Sequence, residues 1–159
     1  MPKFVYRGVA LSRDFERIPT DPALISEARS RLLRCTDEKM VYFAHPQPTY
    51  GTEQEKEYIL AIQANFPGAV VVNPGDLGEI KIRDMGFYLD IVKACDILVY
   101  TRLKGAILGG VGLEVDFAMG AGKEVYELEG TSLTQIHEVP KYLDREETVA
   151  LLKEVGFRK

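Results

Sequence analysis

Short apolar runs without polar alternation recur along this chain, at Met40 to Ala44, Ala69 to Val72 and within Asp96 to Thr101, and a further strand is expected at Lys123 to Leu128. A strand with one face in water alternates polar and apolar residues; one that does not is covered on both faces, which is the condition of strands inside a parallel sheet. Helical segments between the runs supply the crossover connections that parallel neighbours need. Thr52, Glu53, Gln54 and Glu55 form a capping-box pattern opening a helix to about Asn65. A second helix over 82–94 presents Ile82, Met85, Leu89 and Val92 as one stripe toward the sheet, a third spans 112–121, and Asp144 with Glu147 caps a last one ending near Gly156. The fold predicted is α/β, an open, doubly wound parallel sheet of the flavodoxin/Rossmann-like kind with about five strands. Residues 1–39, with a strand over 3–11 and a helix over 21–35 begun by Asp21 and Pro22, read as an N-terminal extension packed on a core of 40–159, all within a single domain.

Composition narrows the function classes. A net charge of −4 argues against binding a nucleic acid polymer, and the first 39 residues, with eight Lys/Arg against six Asp/Glu, are too evenly balanced for a basic arm. No apolar run is long enough for a membrane span, and Met-Pro-Lys-Phe does not open a signal peptide. Cys35 and Cys95 lack metal or redox spacing and read as reduced thiols, which points to the cytoplasm. Two Asn and four Gln beside 28% charged residues point to a thermophilic source. No Cys/His/carboxylate set has metal-ligand spacing, so neither a metal nor another cofactor is expected.

In such sheets ligands sit beyond the carboxyl ends of the strands, here after Ala44, Val72, Thr101 and Leu128. Gly109, Gly110 and Gly112 lead into Glu114, which the predicted boundaries place on the first turn of a helix, where free N–H groups and the dipole would keep a carboxylate ionised. Glu114 would then be a surface-loop acid, either a nucleophile toward a sugar carbon or an ordinary complement to the dipole. Asp116, about 200° further round, faces away. The loop Ala44, His45, Pro46, Gln47, Pro48, Thr49, Tyr50, Gly51 could cradle a sugar or phosphate, or be a rigid turn short of donors at its two prolines. His45 is either a general acid or a hydrogen-bonded structural group, and His137 has no evident partner. Tyr42 either fills the core or points its hydroxyl at the pocket. Asp84, in the first turn of the 82–94 helix, is better placed for the pocket than Asp90, with Tyr88 one turn on. A carboxylate nucleophile and a second acid are the minimal kit for cleaving a glycosidic bond with retention.

Taken in order, Val41-Tyr42-Phe43-Ala44, Ala94-Cys95-Asp96-Ile97-Leu98-Val99 and Gly110-Val111-Gly112-Leu113-Glu114-Val115-Asp116-Phe117-Ala118 with Gly122-Lys123 resemble the nucleoside 2-deoxyribosyltransferase superfamily, over about residues 40–128. The run from Gly110 to Glu114 is especially similar to its 2′-deoxynucleoside 5′-monophosphate N-glycosidase branch. The resemblance implies that Glu114 is the nucleophile at the anomeric carbon, that Tyr42 orients it by a hydrogen bond, and that an acid on the preceding helix assists. It also implies a nucleoside or nucleotide substrate, held by Ala44, His45, Tyr50, Gly51, Tyr88, Gly110 and Gly112, and a homo-oligomer whose pockets borrow residues from a neighbour. Four positions depart from the family pattern. Tyr88 stands where that assisting Asp is usual, so Asp84 takes the role only in a shifted helix register; Ala44-His45-Pro46 replaces a small-Gly-Pro or Gly-Ser loop; Leu108 replaces a phosphate-contacting serine; and Asp116 replaces a glycine.

Two other functions fit the same residues. Gly109-Gly110-Val111-Gly112 is similar to the P-G-G-x-G-T-x-x-E loop of phosphoribohydrolases that release cytokinin bases, with Glu114 two residues early. A non-catalytic nucleotide-binding or sensor protein would keep the fold while losing the acid/base partner.

Overall fold

The computed structural model describes residues 39–74 and 85–157. Among them the elements run β1 (Met40–Ala44), a 3-10 turn (Gln47–Thr49), α1 (Glu53–Asn65), β2 (Val70–Val72), α2 (Met85–Ala94), β3 (Ile97–Tyr100), α3 (Gly109–Gly120), β4 (Glu124–Glu129), β5 (Ser132–Ile136) and α4 (Arg145–Glu154). The expected strand over 3–11, the helix over 21–35, Cys35, Ile82 and Asp84 lie outside the described residues.

The strands form one open sheet in the order β2-β1-β3-β4-β5. Pairing is parallel from β2 to β4, and β5 runs antiparallel to β4. This is an open α/β sheet of the flavodoxin/Rossmann-like type, with its order reversing between β1 and β3, the place where such sheets bind ligands. The strands β1, β2 and β3 are buried along their whole length, as the missing alternation requires. Their side chains divide by the two-residue period. Met40, Tyr42, Ala44, Leu98 and Tyr100 join α2 and α3 on one face, whereas Val41, Phe43, Ile97 and Val99 join α1 on the other.

The fifth described strand comes from a segment without a strand signal on one face or both. Ser132–Ile136 is exposed or half-buried along its length and closes a hairpin through Gly130, whose φ of +62° suits the tight turn. Of the expected α2 stripe, Val92 is buried as expected. Ile91, Val92 and Cys95 enter the core with Tyr88 packed beside them, itself an i, i+3, i+4, i+7 set, and Leu89 is only half-buried.

The helix bearing Glu114 starts three residues earlier than expected, at Gly109. Glycines weaken helices, but two of these are required by what crosses them. A Cβ on Gly109 would lie 3.1 Å from Leu143 O and from Thr148 Oγ1, and one on Gly112 would lie 2.0 Å from Tyr142 Cγ. The segment entering α4 thus rests directly on the backbone of α3. Two hydrogen bonds fix it there, from Gly109 N to Thr148 Oγ1 (2.8 Å) and from Leu143 N to Ile107 O (2.9 Å).

At the start of α4 both halves of the capping box form, Glu147 N to Asp144 Oδ1 at 2.8 Å and Asp144 N to Glu147 Oε1 at 3.1 Å. At α1 only the first half does. Thr52 accepts from Glu55 N, while the Glu55 side chain turns elsewhere. Among the described residues no helix is long and apolar enough to cross a membrane.

Candidate functional site

A cavity of about 610 Å³ opens at the carboxyl edge of β1, β2 and β3, within the range of small-molecule sites. Tyr42 and Glu114 line it from one side of the sheet, His45 and Tyr50 from the other, and Tyr88, Pro74, Leu108 and Gly110 stand between. The expected contribution after Leu128 does not occur. There β4 turns straight into the β5 hairpin, and the wall is supplied by α4 through Arg145, Thr148, Val149 and Leu152. These four are spaced i, i+3, i+4, i+7, so the stripe was readable in the sequence; its destination was not, because it depends on how α4 docks on the α3 glycines.

Glu114 is the sixth residue of α3, not in its first turn, and is 8% exposed. The expectation of a surface-loop carboxylate kept ionised by the helix terminus is therefore corrected. Dipole stabilisation fades beyond the first turn, and loss of hydration dominates. Burial pushes the Glu114 carboxyl up to about 8, against a downward pull from the Tyr42 hydroxyl, which donates to Glu114 Oε2. Tyr42 is itself fully buried at the centre of the sheet, and burial together with the adjacent carboxyl raises its phenol well above the ordinary range. The two alternatives for Tyr42 are thus both realised, a ring in the core and a hydroxyl at the cavity. Asp116 is exposed and accepts from Tyr142 at 3.3 Å, turned away from Glu114 as expected.

His45 is buried with both nitrogens engaged. Nδ1 lies 2.9 Å from Phe43 O, and Nε2 lies 2.8 Å from Glu55 Oε2. Both ring nitrogens are thus engaged within the protein. The ring also stacks on Phe43, centroids 3.9 Å apart, and tilts against Tyr50 at 4.6 Å. With no nitrogen left for substrate, the geometry favours the structural alternative for His45 over the general acid. Burial raises the Glu55 carboxyl, but the His45 bond and charge, the Gly51 N–H and the Asn73 side chain outweigh it and leave it below its usual value. Glu55 carries no sign of this in the sequence, where it reads as an ordinary capping-box acid.

Of the substrate-binding candidates, His45, Tyr50, Tyr88 and Gly110 line the cavity. Ala44, Gly51 and Gly112 do not. Ala44 is sealed in the core; Gly51 adopts φ +73° and donates to Glu55 Oε1 at 3.3 Å, shaping the loop; and Gly112 is bare because the Tyr142 ring lies against it. Cys95 is a buried free thiol whose burial raises it far above the ordinary range, consistent with packing rather than chemistry. Among the described residues no group of His, Cys, Asp and Glu could hold a metal ion.

Comparison with protein-family models, with curated proteins and with solved structures gives no match for this chain.

Proposed function

We propose that this protein cleaves the N-glycosidic bond of a nucleoside or nucleotide, or transfers its deoxyribosyl group, through a covalent intermediate on Glu114. The observation that carries the reading is a buried carboxyl in the wall of a cavity of small-molecule size, hydrogen-bonded by a tyrosine from β1. In the reacting state Glu114 is ionised. Its oxygen attacks the anomeric carbon as the C–N bond breaks; the base takes the bonding electron pair and a proton from the second acid and leaves. Water, or a second base, then attacks the same carbon and releases Glu114, so that two inversions give net retention. Tyr42 directs the carboxylate and offsets part of its desolvation, and Tyr50 and Tyr88 offer ring faces to the base.

Asp84, which lies outside the described residues, takes the part of the second acid only in a shifted helix register. Among the described residues Glu114 is the sole carboxyl lining the cavity, and this favours a second reading, a nucleotide-binding protein without turnover. Free-base release from a panel of deoxynucleosides, ribonucleosides and their 5′-monophosphates separates the two, and adding a second base separates transfer from hydrolysis. Release of base from at least one member supports the enzyme. Binding without release from any of them would leave the binder.

Tyr42→Phe removes one hydroxyl from a fully buried ring and is expected to lower kcat/KM by roughly 10- to 100-fold. The hydroxyl favours the charged form of Glu114, so its loss should also move the ascending limb of the pH profile to higher pH. An unshifted limb would show that Tyr42 does not act through Glu114.

A further inference from the structure

We propose that Glu55 is a positioning residue of the cavity: its carboxylate clamps both ends of the loop after β1 and so holds the Tyr50 ring where it stacks on the aromatic base of a ligand. That the ligand is a nucleoside or nucleotide rests on the glycosidic reading above; the clamp itself does not.

The two oxygens of one carboxylate reach the two ends of one loop. Glu55 Oε2 lies 2.8 Å from His45 Nε2, where the chain leaves β1, and Oε1 accepts from Gly51 N at 3.3 Å, where it approaches α1. Between these points Pro46, Gln47 and Tyr50 line the cavity. The loop backbone has bonds of its own, Thr49 N to Pro46 O and Tyr50 N to Gln47 O, both 2.9 Å. Thr52 caps α1 by accepting from Glu55 N. Neither the turn nor the helix start therefore calls on the Glu55 side chain. Burying a carboxylate costs stability that an apolar residue of similar volume would not, and Glu55 is buried. What its carboxylate does achieve is to tie a cavity loop to α1 at both ends.

The clamp fixes an aromatic stack that leads to the cavity. Phe43, fully buried on β1, carries the His45 ring with centroids 3.9 Å apart and 8° between the planes, and His45 in turn meets Tyr50 at 4.6 Å and 52°. The contacts of Nδ1 with Phe43 O and of Nε2 with Glu55 hold the imidazole against rotation out of this stack. Tyr50 is half-buried, backed by His45 and set in the cavity wall. Its phenol is close enough to that of Tyr42 to add to the upward shift there, so it stands within electrostatic reach of the group that holds Glu114. A base attached at the carbon facing Glu114 is then within reach of the Tyr50 ring. A ring already held from behind gives up little freedom when a flat base stacks on it, and stacking tolerates any base.

Two measurements separate this role from general support of the fold. NMR of the protein with isotope-labelled tyrosine rings reads Tyr50 without any ligand, its signals being those absent from Tyr50→Leu. Glu55→Ala should move them toward the values of an unstructured tyrosine, while those of Tyr126 on β4 and of Tyr142 against Gly112 stay in place. Glu55→Gln, whose amide can accept from Gly51 N and donate to His45, should leave the Tyr50 signals near their wild-type positions. Calorimetric titration of the Glu114→Gln protein with the four common 2′-deoxynucleosides and their 5′-monophosphates reads the consequence for binding. Adding Glu55→Ala should weaken the best-bound probe by roughly 5- to 20-fold, and adding Glu55→Gln by less than about threefold. In a protein that already carries Tyr50→Leu, Glu55→Ala should cost less than about twofold, because its effect passes through Tyr50. Glu55→Met, which fills the same space without a polar atom, replaces Glu55→Ala if that variant does not fold. Unmoved Tyr50 signals, tyrosine signals that all move together, or equal losses with and without Tyr50 would overturn the proposal. Base release by the wild-type protein is measured separately. Release beside a Tyr50 ring indifferent to Glu55 removes the positioning role and keeps the glycosidic reading; a responsive ring with neither release nor binding of any probe keeps the clamp and removes the nucleoside.

Discussion

Glu114→Gln is expected to lower turnover by at least about 10³-fold while making the folded protein more stable at pH 8 and above. The loss of turnover follows from removing the attacking oxygen, since the amide is almost the same size and can still accept from Tyr42 but cannot form the glycosyl ester. The gain in stability follows from linkage. The Glu114 carboxyl titrates near 8 in the folded protein against an ordinary value of 4.5. Below 4.5 it is neutral in both states and its contribution to stability is fully present. As pH rises through the window from 4.5 to 8, the unfolded chain gives up the proton that the folded chain retains, and stability is lost until the folded carboxyl also ionises. Glutamine does not titrate. The stability difference between variant and wild type, followed by thermal melts, should therefore grow across that window and level off above pH 8, reaching on the order of a few kcal/mol. The same ionisation should appear in the wild-type rate, with kcat/KM rising toward pH 8 because the nucleophile must be charged. A rate that instead falls above pH 8 would make Glu114 a proton donor and not the attacking group.

Gly112→Ala is expected to be the most damaging substitution by a single methyl group. Its Cβ would meet Tyr142 at Cγ, Cδ2 and Cβ, at 2.0, 2.3 and 2.5 Å. Those are atoms at the root of the side chain, so a change of rotamer at the ring tip does not relieve the clash and the backbone at Tyr142 has to move. That movement strains the Leu143 to Ile107 hydrogen bond and displaces the start of α4, which carries Arg145 and Thr148. Overpacking of this kind costs about 1–3 kcal/mol or more, and substrate affinity should weaken together with stability. Gly120→Ala is the matched control. It lies at the end of the same helix with nothing within 4 Å of an added Cβ, and should be neutral or stabilising by up to about 1 kcal/mol. A thermal melt in which the two variants behave alike would show that the segment before α4 does not depend on a bare backbone at Gly112.

The sheet was legible because its signal is local. Five apolar residues in a row at Met40–Ala44 can be satisfied only by cover on both faces, and the structure buries all five. Caps were legible for the same reason, as at Asp144 and Glu147. The site was legible only where one residue's identity set its place, as with Tyr42 and Glu114. What the sequence concealed depends on contacts between distant segments. Glu55 looks like half of a capping box, yet its carboxylate serves His45, ten residues earlier. The glycines before Glu114 look like a ligand loop, yet two of them make room for the chain entering α4. Shifting the helix start from the expected 112 to Gly109 moved Glu114 from an exposed first turn to a buried second one, and this reversed the electrostatic expectation for its carboxyl. β5 is a weakly buried edge strand, held chiefly by its pairing with β4, and a hydrophobic pattern carries little trace of such a strand.

Acid quenching during steady turnover, followed by peptide mass analysis, tests the nucleophile most directly. One added sugar residue, with its phosphate if the substrate is a monophosphate, is expected on the peptide containing Glu114 and absent from the Glu114→Gln protein. Base release with the sugar attached at another residue, or undiminished release by Glu114→Gln, would contradict it.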